Sequence, residues 1–106
     1  MEVFLVNKRG TVNAKGRYDE MTGTITVLKG STISNNVSGG TFRSADTVKK
    51  LRSNPKQVKG TQVISDIVFK SASTAANFVT GSSTNGLLSW KNKDGISLKK
   101  LITKTE

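Results

Sequence analysis

The stretch Ser71 to Gly81, SASTAANFVTG, leaves few folds open. Ala72, Ala75, Ala76 and Val79 recur at i, i+3, i+4 and i+7, which is one face of an α-helix. Phe78 widens that face. Ser71 stands where an N-cap belongs, because its hydroxyl can accept a hydrogen bond from an orphan first-turn amide. Gly81 is placed to stop the helix in a left-handed conformation that costs glycine little. Alanines on the buried face let a helix lie close to a sheet. The spacing therefore predicts a short capped helix packed on β-structure.

The flanking residues extend this block from Phe69 to Gly95. Ile67-Val68-Phe69 is a short apolar run ending in the helix cap. After Gly81 comes a polar loop, Ser82-Ser83-Thr84-Asn85, and Asn85-Gly86 is a turn signal. Leu87-Leu88-Ser89-Trp90 reads as a strand, with the only tryptophan in the core. Asp94-Gly95 is a second turn, at a basic hairpin-like tip. Ile96 to Ile102 reads as a closing helix, with Leu98, Leu101 and Ile102 inward and Lys99, Lys100 and Lys104 outward.

Toward the N-terminus the pattern changes to period two. Val3 to Val6 is a strand candidate. From Gly10 to Tyr18, Val12, Ala14, Gly16 and Tyr18 lie on one side and Thr11, Asn13, Lys15 and Arg17 on the other. Asp19 to Gly23 is a turn, and Thr24 to Leu28 a β-branched strand with Ile25 and Val27 on one face. Together these predict an antiparallel hairpin. Gly30 marks a bulge or a sharp exit. Ser31 to Gly40 is a polar loop pinned by Ile33 and Val37. Its Asn36-Val37-Ser38 triplet matches a glycosylation acceptor by chance. Ser44 to Ser53 reads as a helix, with Ser44 as its cap, Ala45, Val48 and Leu51 toward the core, and Pro55 beyond its end. Gln62 to Ile64 is a strand.

The chemistry available is narrow. With no cysteine and no histidine, the chain lacks disulfides, thiolate sites, and the commonest general base and metal ligand. The seven acidic residues fall mostly at turns and caps, and none pairs at a spacing suited to acid–base or two-metal work. Ser97-Leu98-Lys99-Lys100 has a serine–lysine spacing without its companion motifs, and Gly81 to Gly86 has a phosphate-loop spacing without the lysine. No motif asks for a cofactor. No apolar run is long enough for a membrane span, and the opening residues do not read as a signal peptide. The expectation is a non-enzyme in the cytoplasm.

Charge points to partners. Seventeen basic and seven acidic residues give a net +10 over 106 residues. Polyanions are the expected ligands, nucleic acid first. The excess is greatest in residues 41–70, with seven basic and two acidic groups. Lys49, Lys50 and Arg52, extended by Lys56 and Lys59, form one candidate phosphate-binding group. Their place late in a helix also suits its dipole, which is a sufficient structural reason for them. Lys29, Lys91 and Lys93 form a second group, although Lys29 reads better on its local sequence as a solvated strand end. Ser82, Ser83, Thr84 and Asn85 are loop candidates for approaching a ligand. Apolar residues are only 34% of the chain, so its six aromatics are expected in the core. That argues for duplex contact over stacking on single strands.

Several short motifs occur in order: Val27-Leu28-Lys29-Gly30-Ser31; Phe69-x-Ser71-x-Ser73-x-Ala75-Ala76; Gly81-x-Ser83-x-Asn85-Gly86; and Trp90-Lys91 with Asp94-Gly95-x-x-Leu98. In this series the chain resembles the family of the domain of unknown function 4357. It is more distantly similar to the restriction enzyme adenine methylase associated domain. The resemblance implies a small α+β module, of a kind often fused to GIY-YIG nuclease domains or placed with restriction–modification proteins. It therefore implies an accessory role at DNA. Ala72 stands where family members commonly have proline.

The expectation is thus one α+β domain over residues 1–106: an N-terminal antiparallel hairpin or meander, with about three short helices packed on a sheet. Its expected function is non-catalytic nucleic-acid binding through phosphates, DNA favoured. The rival is a protein-interaction domain that docks on a nuclease, a methylase or another acidic partner.

Overall fold

The computed structural model describes residues 1–7, 10–35 and 45–102. Ser44, Val37 and Lys104, the Asn36-Val37-Ser38 triplet, and the side chain of Ala45 lie outside the described residues.

Strands β1 (Glu2–Val6), β2 (Asn13–Tyr18), β3 (Ile25–Val27) and β6 (Ile67–Phe69) form a four-stranded antiparallel sheet in the order β1-β2-β3-β6. The short strands β4 (Val58–Lys59) and β5 (Gln62–Val63) make a separate hairpin. Four helices complete the described chain: α1 (Ala45–Arg52), α2 (Ala72–Thr80), α3 (Gly86–Ser89) and α4 (Leu98–Ile102). The fold is α+β, as the switch from period two to helical spacing predicts.

Register gives the sheet two unlike faces. Val3 pairs with Gly16, Leu5 with Ala14, Gly16 with Val27, and Ile25 with Phe69. Because strand side chains alternate, these residues share one face. They are buried with Ile67 under α2, α3 and Trp90. The other face carries Glu2, Phe4, Val6, Asn13, Lys15, Arg17, Thr26 and Val68, all exposed or half-buried.

Helix α2 is built as its caps predict. Ser71 is extended, and its hydroxyl accepts from the Thr74 N–H at 3.1 Å. Gly81 has φ 76°, and its N–H donates to the Asn77 carbonyl at 2.8 Å. Ala72, Ala75, Ala76, Phe78 and Val79 are buried.

One element differs in kind from the expectation. Residues 86–89 are a helix, not a strand. Asn85, read as half of a turn, instead caps that helix, and its side chain accepts from the Leu88 N–H at 3.3 Å. Gly86 lies against the backbone of Ala72 and Ser73, where any Cβ would overlap main-chain atoms. Trp90 is fully buried, and its indole N–H donates to the Ala72 carbonyl at 3.1 Å. Close approach of α3 to the start of α2 therefore decides the conformation.

The last helix starts later than expected, at Leu98. Before it, Lys91 pairs with Ser97 around a turn at Asn92 to Gly95. Lys91 also pairs with Phe4 through both backbone bonds, at 2.6 and 2.9 Å. The C-terminal segment thus covers part of the free edge of β1.

Candidate nucleic-acid interface

The basic residues fall on different surfaces. Lys49 and Lys50 are exposed on α1, away from the buried Val48. Lys56 and Lys59 are exposed beyond it, in the turn and on β4. Lys29 is exposed at the end of β3, where its backbone N–H donates to Asp66 Oδ1 at 2.8 Å.

Arg52 does something else. Its Nε donates to the Phe78 carbonyl at 3.0 Å. Its terminal nitrogens reach the Ser34 carbonyl at 2.8 Å, Ser34 Oγ at 2.9 Å and the Val79 carbonyl at 3.2 Å. The guanidinium also lies 5.9 Å from the centre of the Phe78 ring. Helix α2 ends in carbonyls that its own amides cannot reach. Gly81 N–H takes Asn77 O, Arg52 takes Phe78 O, Ser34 N–H and Arg52 share Val79 O, and Ser34 Oγ takes Thr80 O. Arg52 therefore closes the C-terminus of a neighbouring helix, with its charge at the favourable end of the dipole. Burial pushes its pKa below the ordinary value by desolvation, and the group stays charged at neutral pH.

The loop candidates are also largely engaged within the fold. The Thr84 N–H donates to the buried Asn77 side chain at 2.8 Å. Thr84 Oγ1 lies 2.7 Å from Thr80 Oγ1 and donates to the Ser82 carbonyl at 3.0 Å. Asn85 caps α3. Ser83 is exposed and, with Thr84, lines one end of an open groove of about 1120 Å³. That groove runs between α1, β6 and the start of α2, and its walls are hydroxyl-rich.

Among the described residues, the open sheet face is where exposed cations and an aromatic come together. Lys15 pairs with Phe4 across β1 and β2, and Phe4 pairs with Lys91 on its other side. This makes one cross-strand row of cation, ring and cation. Arg17 lies in the next row, between Glu2 and Thr26. Lys91 and Lys93 flank a small hollow of about 290 Å³ whose walls include Phe4 and Val6. Between described residues the one ion pair is Lys15 Nζ to Glu2 at 3.0 Å, with both side chains half in solvent. Such a pair is worth at most about 1 kcal/mol and yields readily to a competing anion.

The sequence candidates Lys91 and Lys93 are thus brought together, while Lys29, Lys49, Lys50, Lys56 and Lys59 stand on other elements. Lys15 and Arg17 were missed as binding candidates. The signal for them was the alternation from Gly10 to Tyr18, which already set both opposite the buried residues. Phe4 corrects the expectation that the aromatics fill the core. It is half-buried on the open face, between the buried Val3 and Leu5.

The fold and surface define a class: a small basic α+β domain whose antiparallel sheet is packed on one face and open on the other. The chain belongs to the DUF4357 family, whose model, described as a domain of unknown function, matches residues 4–102. Comparison with curated proteins and with solved structures finds no match.

Proposed function

We propose that this domain is a non-catalytic module that binds nucleic acid through its phosphates. The observation that supports this best is the open sheet face, where, among the described residues, Lys15, Arg17 and Lys91 outnumber the single carboxylate of Glu2. Lys93 extends the charge at one end. A net charge of +10 draws polyanions to the whole surface, with DNA the favoured polymer. Lys49 and Lys50 on α1, and Lys56 and Lys59 beyond it, add exposed charge on other elements. Arg52 does not belong with these phosphate contacts, because four of its five N–H donors serve acceptors of Ser34, Phe78 and Val79. Phe4 is half-buried on the open face and not held in the core, so the aromatics do not favour a duplex over a single strand.

An accessory role beside nuclease or methylase proteins fits this reading, and docking on an acidic protein partner is its rival. The test is binding to a labelled DNA duplex across a salt series, with single-stranded DNA and RNA alongside. Contact with Z phosphates gives log K falling with log salt at a slope of about −0.9Z on duplex and −0.7Z on single strands. Charge reversal at Lys15, Arg17 and Lys91 should flatten that slope. No binding to any polymer at low salt would sink the proposal and favour the protein partner.

A further inference from the structure

The open face also bears on which form of nucleic acid it takes, given that it takes one. In the row Lys15–Phe4–Lys91, an aromatic ring stands between two cations on neighbouring strands. Directly opposed residues in a sheet have Cβ atoms about 5 Å apart. The ring borders the hollow of about 290 Å³, whose other walls include Val6, Ser89, Lys91, Asn92 and Lys93. Val6 is 59% exposed, so part of that wall is open apolar surface.

The turn that carries the two lysines is internally braced. Asn92 Oδ1 accepts from the N–H groups of Asp94 and Ile96 at 3.0 and 2.9 Å. The Asn92 N–H donates to the Ile96 carbonyl at 2.9 Å. Lys91 and Lys93 are therefore held at the rim by a fixed backbone.

A nucleotide offers what this site matches: a flat apolar base and, next to it, an anionic phosphate. In a duplex the base faces are stacked inside and only phosphates and groove edges are presented. A duplex can use the lysines but not the ring or the hollow. We infer that the open sheet face binds a single strand, with one unpaired base against Phe4 in the hollow and its neighbouring phosphates on Lys15, Lys91 and Lys93. This rests on the nucleic-acid reading above. Arg17, one row away, continues the path of the strand.

The experiment compares one oligonucleotide single-stranded and annealed, against the wild-type chain, Phe4→Leu and the double variant Lys91→Gln/Lys93→Gln. Phe4→Leu keeps apolar volume and removes the π-face. Base stacking on an aromatic is worth about 5- to 150-fold in affinity. Phe4→Leu should accordingly lose at least about fivefold on the single strand and leave duplex binding unchanged. The double lysine variant should lower the single-strand salt slope by about 1.4. Emission from the buried Trp90 checks that each variant is folded, and ultraviolet crosslinking of a 4-thiothymidine strand should place an adduct at Phe4. Equal affinity for both forms, or a Phe4→Leu variant indistinguishable from wild type on the single strand, overturns the inference while leaving phosphate binding intact. Absence of binding to either form overturns both.

Discussion

Arg52 stands in the sequence as the third cation of a basic run, and its partners are not visible there. They lie 18 to 27 residues away, and most are backbone carbonyls, which every residue type carries. No pattern of side chains announces such a cap. Replacing Arg52 with Met removes the donor to Phe78 O and should cost about 1–3 kcal/mol, the usual penalty for an unsatisfied buried acceptor. Urea unfolding measures it. Lys should fall between, since an ammonium is a point charge without the planar fork. Neither change should alter the salt slope of DNA binding, whereas Lys50→Gln should lower it, by about 0.9 on duplex or about 0.7 on a single strand, if α1 touches phosphates. The folded pKa of Arg52 lies below its free value, so the cost of holding it charged persists at every working pH. It is relieved only as the pH climbs toward that of the free group. Lys15 and Arg17 were the opposite case: their alternation exposed them on paper, and only their role went unread.

At the scale of elements, the local signals that carry their own geometry were legible. Ser71 and Gly81 fix the two ends of α2, and the period of two fixes the faces of β2. Helix α3 was not legible, because four residues are too few to show a helical period, and Asn-Gly serves both turns and helix starts. What decides it is tertiary: Gly86 against the backbone of Ala72 and Ser73, and the Trp90 indole bonded to Ala72. Gly86→Ala must push α3 away from α2 and should destabilise the domain by about 1–3 kcal/mol, as overpacking does. Trp90 emission should shift to the red even under native conditions, and an unshifted spectrum would show that α3 tolerates the displacement. The other end of the sheet is managed differently. The Leu28–Lys15 bond sets the ladder phase, so Ile67 and Phe69 point their backbone groups at β3, and Val68 alone points outward. A three-residue edge flanked by Asp66 and Lys70 offers a further strand little to pair with.

For the whole molecule, the charge that recruits a polyanion does not respond to mild acid. Without histidine, no side chain has an ordinary pKa between about 5 and 8. Affinity for nucleic acid at constant salt should therefore be flat from about pH 5.5 to 7, and a change beyond about threefold would reveal a shifted group in the interface. The α+β class and the meander followed from periodicity alone, but the division into a packed face and an open face needed the register. The same register has a bearing on synthesis. Part of the edge of β1 is covered by Lys91, and the Trp90 ring packs beside Gly16 on the core face of β2. At the usual pace of translation, roughly 4–17 s separate Phe4 from Lys91. During that interval the first hairpin lacks both the Lys91 bridge and the Trp90 ring that complete its packing. Chains stalled with residue 85 exposed should be cleaved rapidly by protease, and chains stalled with residue 102 exposed should resist it.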